Sequence, residues 1–224
     1  MKREIDISEI SDGRLYTAND MVKVDCHGCQ GCSSCCHGMG ESIILDPVDV
    51  RRLEIETGKS FSTLLEEGYL ELHLVDGLIL PNLKMNPATD GCSFLNEKGR
   101  CTVHGHRPGI CRLFPLGRIY EEEGFKYFLQ IHECVCQDRG KMKVKKWLEL
   151  PFLKQYEEYI LRWHGFMTRC QEAIPTLGEQ ERNILLTYVL RTFFQQPYVE
   201  TKEDLLYKEF EARLSKAEQT LGLV

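Results

Sequence analysis

The sequence predicts an α+β protein: a cysteine-rich part of short hairpins and helices, followed by a helical C-terminal part. Three observations lead there. Ten of the eleven cysteines fall between Cys26 and Cys136. Turn pairs and single glycines punctuate short alternating runs up to about residue 140. Beyond that point, apolar residues recur at helical spacing. Two units are expected, residues 1–140 and 141–224.

Residues 1–20 read as a polar lead-in with one short strand. "LDPVDVRRLEIETG" (45–58) carries a helix cap at Asp46, proline at the first helical position and a stop at Gly58. "SFSTLLEEG" (60–68) repeats that pattern on a smaller scale. "YLELHLVDGLILPNL" (69–83) alternates around Asp76-Gly77, a hairpin turn pair. "CSFLNEKGRCTV" (92–103) predicts a tight hairpin turning at Gly99, and "GRIYEEEGFKYFLQI" (117–131) another turning near Gly124. Glu121, Glu122 and Glu123 read as its solvated turn.

From residue 144 the pattern is helical, interrupted by Pro151. A helix over 178–196 should bury Ile184, Leu185, Tyr188, Val189 and Thr192 on one side. A last helix should start at Thr201 and Asp204 in a capping-box arrangement and stop at Gly222. Trp147, Phe152, Tyr156, Tyr159, Phe193 and Phe194 fall at helical spacing and read as packing. Cys170, with Trp163 and Phe166 close in sequence, reads as a core residue.

An apolar fraction of 42% and a charged fraction of 28% are those of an ordinary globular chain, which needs no disulfide staples. The net charge of −6 argues against a general nucleic-acid binder. The one basic run, "KMKVKK" (141–146), reads as a solvated helix start. No apolar run approaches the ~18 residues of a membrane span, and no apolar stretch follows "MKREIDISEI". The expectation is a cytoplasmic, reducing setting without membrane contact. There, clustered cysteines are metal ligands or redox centres rather than disulfides.

"DCHGCQGCSSCCHG" (25–38) has the spacing C-x2-C-x2-C-x2-C-C, at Cys26, Cys29, Cys32, Cys35 and Cys36. Two intervening residues let successive thiolates turn toward one centre, as in zinc knuckles and iron–sulfur loops. Gly28 and Gly31 suit the tight backbone this requires. Cys92, Cys101 and Cys111 form a second group, and Cys134 and Cys136 a third. Neighbouring cysteines such as 35/36 and 134/136 are expected to point apart, each pair serving two centres or supplying one ligand and one further thiol. Ten cysteines would fill two four-ligand sites with two left over.

"CQGCSSCC" (29–36) together with "CSFLNEKGRCTVHGHRPGICRLFP" (92–115) resembles the YkgJ-type cysteine-cluster family, described as a zinc- or iron-chelating domain. Cys29, Cys32, Cys35 and Cys36 match its first cluster, and Cys92 and Cys101 its next two cysteines. Arg107, Pro108, Cys111, Arg112, Phe114 and Pro115 match its third segment. A later family cysteine falls at Cys134 or Cys136. The resemblance covers about residues 25–150. It departs at Ser33, where such families often have glycine, and at Cys26, which is an addition.

The resemblance implies metal chelation by these cysteines. It also brings in a relative, the flagellin lysine N-methylase, which shares the cluster. No glycine-rich strand-turn-helix fingerprint for a nucleotide or S-adenosylmethionine appears in the chain.

Arg107 and Arg112 flank Cys111 and would offset thiolate charge. Pro108 and Pro115 would fix the approach of that segment. His37, His104 and His106 lie near cysteines and could complete a Cys3His site or bond a sulfur, although the ordinary role of a surface or core histidine fits each. His27 and His132 carry less. No nucleophile–base pair, P-loop or paired catalytic carboxylates are visible.

The expected function is an iron–sulfur cluster protein, an oxidoreductase component giving electron transfer or redox support to a protein partner or substrate. Cys29, Cys32, Cys35, Cys92, Cys101 and Cys111 lead the ligand set, followed by Cys36, Cys134, Cys136 and Cys26. All-sulfur ligation and surplus thiols favour iron–sulfur. The alternatives are a structural zinc-binding interaction module, in which the metal supplies folding energy, and a metal-dependent protein-modifying enzyme such as a lysine N-methylase.

Overall fold

The computed structural model describes residues 7–26, 32–136 and 138–223. The lead-in holds one helical turn, α1 (Ile7–Ile10), and the expected strand, β1 (Ser11–Tyr16). Residues 1–6 lie outside the described residues. A second strand, β2 (Met21–Asp25), follows.

Helix α2 (Pro47–Thr57) has the predicted boundaries, because its ends are set by local chemistry. The Asp46 carboxylate accepts the Asp49 amide at 2.8 Å, and Asp49 accepts the Asp46 amide at 3.4 Å. Gly58 closes the helix in the left-handed conformation, φ 67°. Helix α3 (Phe61–Glu66) is capped by the Ser60 hydroxyl. β3 (Leu70–Val75) and β4 (Leu78–Leu83) form the predicted hairpin. Its two turn residues, Asp76 and Gly77, both have positive φ, as a primed turn requires.

Residues 92–103 close as the expected tight hairpin, with the Asn96 amide donating to the Arg100 carbonyl at 3.0 Å and the Thr102 amide to the Phe94 carbonyl at 2.9 Å. Just before it, two two-residue strands, β5 (Met85–Asn86) and β6 (Gly91–Cys92), pair with each other. The hairpin's ladder includes one bridge, Leu95 to Cys101. Its turn passes through Gly99 at φ 66°. The Asn96 side chain accepts the Lys98 and Arg100 amides, so a side chain reinforces the turn that the backbone bonds close.

Helix α4 (Gly109–Leu113) leads into β7 (Leu116–Glu121) and β8 (Gly124–Gln130), the second predicted hairpin. β1 adds to β8, giving an antiparallel sheet in the order β1-β8-β7. β9 (Gly140–Lys143) pairs with β2, so the basic run is half strand before the helix begins. α5 (Val144–Leu148) and α6 (Leu153–Ala173) flank Pro151 as expected.

α7 (Glu179–Leu190) continues as a π-turn through Gln195. Its buried side holds Leu185, Val189, Phe193 and Phe194, whereas Ile184 is 65% exposed. The π-turn shifts the buried face toward the two phenylalanines. α8 (Glu203–Leu221) ends at Gly222 as predicted. It begins without a capping box, since Lys202 occupies the cap. The Glu203 carboxylate instead takes the Tyr207 hydroxyl and Arg52.

One apolar core runs from Val22 and Val24 through Leu53 and Leu64 to Phe166, Phe210 and Leu214. Each such side chain contributes about 1.5–3 kcal/mol on full burial. The expected boundary at residue 140 falls at β9, which pairs with β2, and α8 packs on α2.

A polar seam crosses this core. Asp49, Arg52 and Arg112 are buried. The Asp49 carboxylate accepts the Gly109 amide at 2.7 Å and lies 3.7 Å from Arg52. The Tyr159 hydroxyl accepts the Val48 amide, and Arg118 donates to the Tyr156 hydroxyl. Gly109 has no room for a side chain, because a Cβ would overlap that same hydroxyl.

Burial, and after it the adjacent Asp46, pushes Asp49 up to about 7. The folded chain therefore holds this proton more tightly than the unfolded one. The stabilisation is complete below about pH 4 and is lost as pH rises through the folded value. Urea unfolding from pH 4 to pH 8 should show a steeper loss of stability in the native chain than in Asp49→Asn. That variant keeps an acceptor for Gly109 and cannot ionise; equal slopes would refute the assignment.

Candidate metal centre

Five separate segments deliver cysteines to one cavity of about 230 Å³, four of them through Cys35, Cys92, Cys101 and Cys111. Cys35 comes from a 3-10 turn, Ser34–Cys36. Cys92 ends β6, Cys101 sits in the Leu95 bridge, and Cys111 is the third residue of α4. Each has a local reason for its place. The β5–β6 pairing fixes Cys92, and the Asn96 turn fixes Cys101. The Gly109 amide, held by Asp49, fixes the turn that carries Cys111.

Cys32, Cys36 and Cys134 also reach the cavity wall. The rest of that wall is mainly apolar, with Leu83, Phe94, Val103, Phe114 and Trp147. The Trp147 indole donates to the Phe114 carbonyl at 3.1 Å, which holds the ring in place.

Burial raises the thiols of Cys92, Cys101 and Cys111 above the ordinary cysteine range, Cys111 the most. Cys92 and then Asp49 add to the effect at Cys111. Cys35 is raised first by its hydrogen bond with Cys36 and then by burial. Thiols this reluctant to ionise need a cation to stabilise their thiolates. Arg107 supplies part of that charge: it lines the cavity and pulls Cys35 and Cys101 back down. The donor set, several thiols around a mostly apolar space, fits a thiophilic metal.

Cys35 and Cys36 both reach the cavity wall from the same 3-10 turn, Cys35 exposed and Cys36 half-buried. Arg112 is not at the thiols. It donates from Nε to the Arg107 carbonyl at 3.2 Å and from Nη2 to the Gly105 carbonyl, bracing the loop.

His104 lines the cavity but is engaged by Arg107 at 2.8 Å. His106 pairs with Glu56, and His37 forms an exposed backbone bridge with Gly91. His132 is exposed. Pro108 is the cap of α4 and lines the cavity with Pro115.

Cys26 lies apart from the four central thiols, 3.7 Å from Cys134. Cys32 is exposed, its thiol 3.6 Å from the Ser34 hydroxyl. Cys29 and His27 lie outside the described residues. Among the described residues, no three His, Cys, Asp or Glu side chains close on a common point. Cys170 is fully buried in α6 and is pushed up to about 12 by burial, as a core thiol should be.

Sequence reasoning missed the walls and the brace. Trp147, at helical spacing, and Leu83, in the β3–β4 hairpin, both line the cavity. Nothing local in the sequence marks Asp49, because its partner lies 60 residues away.

A family model named CxxCxxCC, described as "Putative zinc- or iron-chelating domain", matches residues 28–142. No curated protein and no solved structure matched the chain.

Replacing a cavity thiol should remove metal, whereas replacing the core thiol should not. Cys111→Ser and Cys92→Ser are expected to lose most bound metal by elemental analysis and to melt several degrees lower. Cys170→Ser should keep its metal while losing about 1–3 kcal/mol, the cost of a buried hydroxyl. Unchanged metal content and stability in Cys111→Ser would remove that residue from the ligand set.

Proposed function

The chain belongs to the CxxCxxCC family of zinc- or iron-chelating domains, and from that premise we propose that it holds an iron–sulfur cluster for electron exchange with a partner protein. Cys35, Cys92, Cys101 and Cys111 are the proposed ligands. The cavity they line is the observation that supports this reading. A single zinc bound at about 2.3 Å from each sulfur draws four thiolates together and leaves no space between them. A space of about 230 Å³ edged by thiols suits a polynuclear cluster that brings its own sulfides.

Such a cluster supplies one-electron redox chemistry when bound. The chain's own residues set its conditions. Phe94, Val103 and Phe114 exclude water, and Trp147 shields one side. Arg107 offsets the negative charge of the thiolates. Burial and charge of this kind tune the potential of a cluster. Cys32 and Cys35 are exposed at the rim, which gives a partner its nearest approach to the site.

The partner is expected to be a protein, either a redox partner or a substrate. A structural zinc role is the second reading. It is favoured by ligand segments spread from residue 35 to residue 111, since a metal there closes the fold around itself.

Anaerobically purified protein should be brown, with broad absorption near ~400 nm and iron matched by acid-labile sulfide. Colourless protein carrying stoichiometric zinc and no sulfide would overturn the cluster and leave the structural reading. Purification in air is expected to lower the iron and raise the zinc content.

A further inference from the structure

The thiols divide into two sets by position. Cys26 directly follows β2, and Cys134 and Cys136 lie on the segment entering β9. β2 and β9 pair through Asp25 and Gly140, so the two segments meet at one end of this ribbon. The Sγ atoms of Cys26 and Cys134 are 3.7 Å apart. Cys136 lies on the same segment, two residues beyond Cys134. Cys26 precedes the residues matched by the family model, 28–142, and is absent from the set that faces the cavity.

We propose that Cys26, Cys134 and Cys136 form a second metal site for a thiophilic ion such as zinc, beside the four-thiol cavity whose wall Cys134 also reaches. Tetrahedral zinc with sulfurs at about 2.3 Å has sulfur–sulfur edges of about 3.8 Å. The Cys26–Cys134 pair already has that spacing. The Cys136 thiol rests against the Asp138 carbonyl at 3.7 Å and completes the set by side-chain rotation. Zinc displaces the thiol protons to solvent, and three thiolates leave a fourth position for water or a further side chain.

Two features favour an ion over a disulfide here. A disulfide uses two thiols and would strand the third. The three thiols also come from just two segments, which the β2–β9 ribbon already aligns, so binding needs little backbone movement. The site would pin the ribbon's open end beside the cavity wall, where Cys134 also sits. The proposal does not depend on which metal the cavity holds.

The test uses the full chain, purified anaerobically and dialysed against Zn²⁺ alone, with zinc, iron and sulfide measured together. Cys26→Ser and Cys136→Ser should each lose about one equivalent of zinc and keep iron and sulfide unchanged. Cys111→Ser should do the reverse. Co²⁺ loaded in place of zinc should give thiolate-to-metal charge-transfer bands whose intensity falls by one site's share in Cys26→Ser and keeps the share lost in Cys111→Ser, with circular dichroism confirming that the variants are folded.

If Cys26→Ser loses iron and sulfide together with zinc, the thiols form one shared centre and the proposal fails. It also fails if neither metal changes, or if thiol trapping finds Cys26 and Cys134 joined as a disulfide. In a chain that carries no iron, loss of one of two zinc equivalents from Cys26→Ser would uphold the second site while refuting the iron–sulfur reading, and loss of all zinc would sink it.

Discussion

The Asp49 carboxylate accepts the amide of Gly109 from 60 residues away, and the arrangement of the thiols depends on that bond. It joins the first turn of α2 to the start of the short helix that carries Cys111. A five-residue helix has little stability of its own. Its position is therefore set by what holds it: Asp49 at its first amide, the Tyr156 hydroxyl against Gly109, and Arg112 bracing the loop before it. Arg52 ties the same seam to Glu203 of α8. The C-terminal helices thus act on the cysteine cavity through α2 and through Tyr156 of α6 against Gly109, although none of their residues between 153 and 223 lines it. Breaking one partner of such a buried ionic seam costs on the order of 3–5 kcal/mol.

Gathering thiols in an apolar cavity opposes their ionisation. Burial raises Cys92, Cys101 and Cys111, and neighbouring thiols raise them further. Arg107 relieves part of this at Cys35 and Cys101. The rest of the compensation falls to a bound metal, so metal affinity and fold stability are coupled in this family member. The apolar wall serves the same end by keeping water from competing for the site.

Much of the fold could be read from the chain because its signals are local. The cap at Asp46, the stop at Gly58, the Asp76-Gly77 turn and the break at Pro151 each act within a few residues. Where a local signal failed, another group had taken its place. Glu203 is occupied by Tyr207 and Arg52, with Lys202 at the cap of α8. The outward turn of Ile184 follows from the π-turn after α7, which no periodic pattern announces.

The sequence by itself determined that this is an α+β chain of a metal-chelating family, because cysteine spacing, turn residues and caps are written within short windows. It also separated Cys170 from the other cysteines, since that thiol lies in an apolar helix. Only the tertiary structure decided which thiols share a space. Cys35, Cys92, Cys101 and Cys111 meet around one cavity, while Cys26 turns toward Cys134. That partition depends on contacts between segments far apart in the chain, fixed by the Asp49–Gly109 bond and by the pairing of β2 with β9, and spacing along a sequence does not encode such contacts.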